Sequence, residues 1–123
     1  MDIALWVAQV LAALIFGYHG STLLFRMQAA RAQFLWANDV SDPLLRLIGG
    51  AEIAGAVGVI LPALTRVLPW LTPLAPVGLF AVVVLAAVFH ITRREWPGVI
   101  FNMVLAGLAA FVAYGRFVVV PFA

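Results

Sequence analysis

Four apolar stretches follow one another along this chain, covering residues 3–25, 44–64, 73–91 and 97–114, with short polar gaps between them. Each is close to the ~20 residues that a helix needs to cross the hydrocarbon core of a bilayer. Backbone N–H and C=O groups find no water in lipid, so segments of this length satisfy them internally, as helices. The expected fold is therefore all-α: an integral membrane four-helix bundle, one domain over residues 1–123. Composition excludes the soluble alternative. In this chain 66% of the residues are hydrophobic and 10% are charged, whereas a soluble domain carries about a quarter charged residues. A small globule leaves much of its surface facing water and has nowhere to hide so much apolar side chain.

Punctuation agrees with the hydropathy. Ser41-Asp42-Pro43 puts a capping carboxylate just before a proline at the start of the second span. Thr72-Pro73 opens the third span and Trp96-Pro97 the fourth. Trp6, Trp70, Trp96 and Tyr114 fall near span ends, where amphipathic rings sit at the membrane interface. The first span lacks a basic leader and is longer than the apolar core of a signal peptide, so it is expected to be retained. The connection 26–43 is long enough for a short interfacial helix carrying Met27, Phe34, Leu35 and Trp36; the competing expectation is that the first span simply runs on past the membrane surface.

All seven basic residues are arginines, scattered around the gaps rather than gathered on one face, which argues against nucleic-acid binding. Arg26, Arg31, Arg46, Arg93 and Arg94 belong to the side holding the first and third connections, and Arg66 and Arg116 to the other. The positive-inside rule then places the first and third connections in the cytoplasm and both termini outside. Cysteine is absent, so disulfides, thiolate metal sites and dithiol relays are excluded. Any redox chemistry requires a bound cofactor or a membrane or soluble redox partner.

The residues most informative about function are polar ones where lipid is expected. Glu52 sits inside the second span, where a carboxylate costs roughly 2.5–3.5 kcal/mol on insertion scales and must face the bundle interior with a partner. Gly49, Gly55 and Ala56 share its face and permit close approach of another helix. His19 lies in the first span beside Tyr18, His90 near the end of the third, and Asn102 early in the fourth. At ~1.5 Å per residue, His19, Glu52 and Asn102 fall roughly 7–12 Å below the same membrane surface, with His90 nearer to it. The opposite leaflet is expected to hold almost nothing comparable. There Gln9 is assigned to a helix contact, and the alanines of the fourth span (Ala106, Ala109, Ala110, Ala113) to close packing or to contact within a homo-oligomer.

A carboxyl and an imidazole placed together can hold or relay a proton near neutral pH. The reading is an acid–base pair of Glu52 and His19, with His90, Asn102 and Tyr18 binding the polar part of a small lipid-soluble molecule such as a quinone. The bland alternative is a hydrogen-bond network that locks the helices together. Haem between His19 and His90, or a divalent metal on His19, Glu52 and His90, is disfavoured by the offset in depth. A non-catalytic scaffold for a partner enzyme and a small transporter are the other functional classes.

The ordered series Leu47-Ile-Gly-Gly-Ala-Glu52-Ile-Ala-Gly-Ala-Val-Gly58, Ile60-Leu-Pro-Ala-Leu64, Leu68-Pro-Trp-Leu-Thr-Pro-Leu74, Phe89-His90, Arg94-Glu95, Asn102 and Ala113-Tyr-Gly-Arg116 resembles the DoxX-like membrane proteins. The resemblance covers about Leu44 to Arg116. It implies a four-helix bundle in the inner or plasma membrane of a prokaryote. It also implies, from the founding members, a subunit of a quinone-linked oxidoreductase. Glu52 corresponds to the family's glutamate in the second span and His90 to its histidine late in the third. Many relatives carry a lysine near the end of the first span, where this chain has Tyr18-His19-Gly20 and then Arg26. No partner for Glu52 is therefore carried over from the family.

Overall fold

The computed structural model describes residues Met1–Pro121. Four of its helices are long and apolar enough to cross a membrane: α1 (Asp2–Phe25), α3 (Asp42–Thr65), α4 (Leu71–Thr92) and α5 (Trp96–Tyr114), the last extended by a wide turn with π-helical hydrogen bonding over Gly115–Val119. Among the described residues there is no strand. Pro43 lies in the first turn of α3, where its missing N–H costs nothing. The carboxylate expected to cap that helix does something else. Asp42 is already helical and accepts a 2.6 Å hydrogen bond from Arg31 Nη2, while Ser41, the residue at the cap, makes no side-chain cap bond. Arginine offers a charged donor that outbids a neutral backbone N–H.

The helices form a closed ring in the order α1, α3, α4, α5. α1 lies along α3 and α5 along α4, whereas α1 and α5 meet far less extensively. At the centre, Ala12 and Phe16 of α1, Val59 of α3, Leu79 and Val83 of α4, and Leu105 and Ala109 of α5 are buried together. Lipid is as apolar as these side chains, so their gain is packing rather than release of water. The outer faces are apolar too: Leu14, Leu61, Leu85 and Val104 are all exposed, as they are in a bundle whose solvent is lipid.

α1 stops at Arg26, and the connection turns back over the end of the bundle as α2 (Met27–Gln33) followed by a short 3-10 helix (Leu35–Asp39). The segment is a cap rather than a loose surface helix. Ala30 and Ala37 are fully buried with Leu23 and Leu45, and Met27, Phe34 and Trp36 pack around them. Arg31 holds the cap to α3 through Asp42, and Arg93 holds it to the end of α4 through a 2.6 Å bond to Asp39.

Candidate functional site

Two glycines set the geometry beneath the cap. A Cβ built on Gly20 of α1 meets the Gly49 carbonyl oxygen of α3 at 2.7 Å, and a Cβ on Gly49 meets the Gly20 oxygen at 2.7 Å. Only residues without side chains let two helix backbones cross this closely. The crossing brings the preceding residue on α1, His19, against Glu52, one turn further along α3. His19 Nδ1 and Glu52 Oε2 are 2.6 Å apart, a short hydrogen bond. Glu52 is enclosed, with 5% of its side chain exposed, whereas His19 keeps 22%. That difference matters, because it leaves one member of the pair accessible.

The exposed side of His19 lines an apolar groove of about 380 Å3, whose walls include Leu14 and Tyr18 of α1, Gln33 and Phe34 of the cap, and Phe101 of α5. Tyr18 donates a 3.1 Å hydrogen bond to Gln33 Oε1 and so ties α1 to α2 at this groove. Phe34 leans on the imidazole at 4.8 Å between ring centroids.

His90 belongs to a second pair. Its Nδ1 lies 2.9 Å from Glu95 Oε1, in the tight turn between α4 and α5, and its ring packs so closely on Gly98 that a Cβ there would meet it at 2.9 Å. Glu95 also accepts a 2.9 Å bond from Arg93 Nε. Glu95 lies outside the membrane-crossing helices. The hydrogen bonds from His90, first, and from Arg93 hold its carboxyl below the ordinary value of 4.5. Between the two histidines stands Trp36, stacked at 6.1 Å from His19 and edge-on at 5.9 Å from His90. No group of three or more His, Asp or Glu side chains poised for a metal ion occurs among the described residues.

Asn102 is half-buried and spends its amide on its own helix, donating to the Gly98 carbonyl at 2.8 Å. No hydrogen bond joins it to Glu52 among the described residues. The structure thus brings His19 and Glu52 together, puts Tyr18 on the same groove, and sets His90 apart behind Trp36. Sequence reasoning missed Trp36 and Glu95 as the partners of the histidines. Glu95 carried a readable signal, lying five residues after His90 in a turn that also holds two arginines.

The opposite leaflet, expected to be nearly free of polar groups, is not. Arg116, 1% exposed, donates from Nε to Gln9 Oε1 at 2.7 Å and from Nη1 to Asp2 Oδ1 at 2.7 Å, and its guanidinium lies 5.6 Å from the centre of the Trp6 ring. Gln9 passes the connection on, donating to the Val59 carbonyl at 2.7 Å. The apolar run Phe117-Val-Val-Val120 after Arg116 was the available signal that the chain had not yet left the membrane. A carboxylate, an amide and an aromatic face thus hold the buried guanidinium inside the bundle.

No curated protein and no solved structure matches the chain. A family match does exist, to the DoxX-like family, and it runs over residues 7–112. It thereby extends the resemblance back through α1 and takes in every helix that positions His19, Glu52 and His90. By that match, and as a bundle of four apolar membrane-crossing helices, the chain belongs to the DoxX-like family.

Proposed function

We propose that this protein carries an intramembrane acid–base site for a small lipid-soluble molecule, with Glu52 and His19 as the pair that handles the proton. The observation that supports this reading is the 2.6 Å bond between an enclosed carboxylate and an imidazole that opens onto an apolar groove. When Glu52 is ionised it accepts the Nδ1–H, which fixes the tautomer and leaves Nε2 as the basic atom. A proton taken at Nε2 makes an imidazolium stabilised by the adjacent carboxylate, the logic of a base oriented by a third group. A pair that only locked two helices together would do so best fully enclosed. His19 is not.

In this reading Tyr18 and Phe34 flank the ligand, and His90 acts at one remove by holding Trp36 against the His19 ring. A quinone fits the class, being apolar with oxygens that gain and lose protons, and the family resemblance points to a subunit of a quinone-linked oxidoreductase. The competing reading is a non-catalytic scaffold for a partner enzyme, which the arginine-rich capped end would suit.

Gentle solubilisation followed by mass spectrometry and absorption spectroscopy separates the two. A co-purifying lipid-soluble molecule that is lost from Glu52→Gln and His19→Ala, with turnover down about 100-fold and the bundle still folded, supports the site. If both variants lose only thermal stability and keep the ligand and full activity, the site reading fails. A stoichiometric soluble partner without any small ligand favours the scaffold.

A further inference from the structure

We infer that the groove between α1 and α5 takes a flat, apolar molecule bearing a hydroxyl group, which reaches His19 sideways from the lipid and donates its O–H to the imidazole. The inference deepens the acid–base reading above and rests on it.

The route follows from how the bundle closes. α1 and α5 form the least extensive of the neighbouring helix contacts in the ring. At one end this seam is pinned by Arg116, which reaches from the end of α5 to Gln9 and Asp2 on α1. At the other end no comparable bond joins α1 to α5 among the described residues, and the groove lies there. Its walls Leu14 and Phe101 are 65% and 52% exposed, and in a membrane-crossing bundle such side chains face acyl chains. The direction of the water is covered by the cap, with Phe34 and Trp36 packed around His19 and Tyr18 bonded to Gln33. Entry is therefore lateral.

The class of ligand follows from size and from hydrogen-bond polarity. About 380 Å3 lies at the small end of ligand pockets, which run from ~300 to 1,000 Å3. The rings of Phe34 and Phe101 suit a flat apolar body. No arginine lines the groove, so nothing there selects a phosphate headgroup. His19 Nδ1 is committed to Glu52. With that carboxylate accepting, Nε2 is an acceptor, and its complement is a donor. The second apolar groove, between α4 and α5 around Phe80 and Tyr114, has no imidazole and lacks this feature.

The test uses the whole chain in lipid nanodiscs with two probes, 2-naphthol and its O-methyl ether, measured by fluorescence against protein-free nanodiscs. Saturable binding of 2-naphthol is expected, with the ether about tenfold weaker. Phe101→Trp and Leu14→Trp, which fill the groove from its lipid side, each weaken 2-naphthol about tenfold while the elution volume and helical circular dichroism stay unchanged. His19→Leu makes the two probes bind alike.

Equal binding of both probes to the unaltered chain, still weakened by the groove-filling variants, overturns the hydroxyl donor but leaves a site for apolar molecules. Binding that ignores both tryptophan variants yet loses its hydroxyl preference in His19→Leu overturns the lateral groove and leaves the acid–base pair standing. No saturable binding overturns the inference outright, and the Glu52→Gln ligand assay then decides the broader reading by itself.

Discussion

Removing the charge of Arg116 while keeping its bulk separates the two things this side chain does. Arg116→Met retains the packing but leaves Gln9 Oε1 without its donor and Asp2 without its cation. Gln9 is fully buried, so the orphaned oxygen has no water to turn to, and the variant should lose about 1–3 kcal/mol of stability. Asp2 is the lesser partner. Its side chain is 55% exposed, and asparagine keeps an oxygen to accept the Arg116 Nη1–H, so Asp2→Asn should cost less than Arg116→Met. Unfolding midpoints of the two variants in the same detergent check the order. Equal losses would mean that the ion pair, not the buried amide contact, carries the network.

At the scale of the helix, the crossing of α1 and α3 depends on missing side chains. Gly49→Ala places a methyl 2.7 Å from the Gly20 carbonyl oxygen, which is backbone and cannot swing aside. Overpacking of this kind costs about 1–3 kcal/mol and pushes the helices apart, lengthening the His19–Glu52 bond. The adjacent Gly50 is the control, since a Cβ there meets nothing within 4 Å. Gly50→Ala should be neutral or stabilising by up to about 1 kcal/mol, because a helical glycine only adds entropy to the unfolded chain. Thermal unfolding of the pair, together with 2-naphthol binding, reads both effects. A Gly49 variant as stable and as competent as the Gly50 variant would remove the close crossing as the device that assembles the pair.

The whole molecule is closed at its capped end by exposed ionic contacts, Arg31–Asp42 and Arg93–Asp39, and by Glu95 between His90 and Arg93. Exposed pairs of this kind contribute little singly, yet the Glu95 contacts give the fold a readable pH dependence. The carboxyl of Glu95 ionises at lower pH in the folded protein than its ordinary value of 4.5. Its stabilisation is therefore complete above that value and disappears as pH falls through the lower, folded-state value. Midpoints of thermal unfolding should drop as the pH is taken below 4.5, and Glu95→Gln should flatten part of that fall while lowering the midpoint at neutral pH. An unchanged profile would show that the cap does not need this carboxylate.

Hydropathy, helix period and proline position act over about one span at a time. Such local signals were enough to establish that four helices cross a membrane, and that Glu52, as a carboxylate in hydrocarbon, needs an inward direction and a partner. Shared depth put His19 forward as that partner, but depth alone does not bring two side chains into contact. His19 and Glu52 are 33 residues apart in the chain, and Arg116 and Gln9 are 107 apart. Which distant side chains meet depends on where helix backbones cross, and that is decided by packing summed over the bundle. The same holds for Trp36, an interfacial aromatic in the sequence. Folding of the cap makes it the wall between two histidines. Depth in the membrane is a local property, written in spacing from the span ends; contact is a property of the assembled helices.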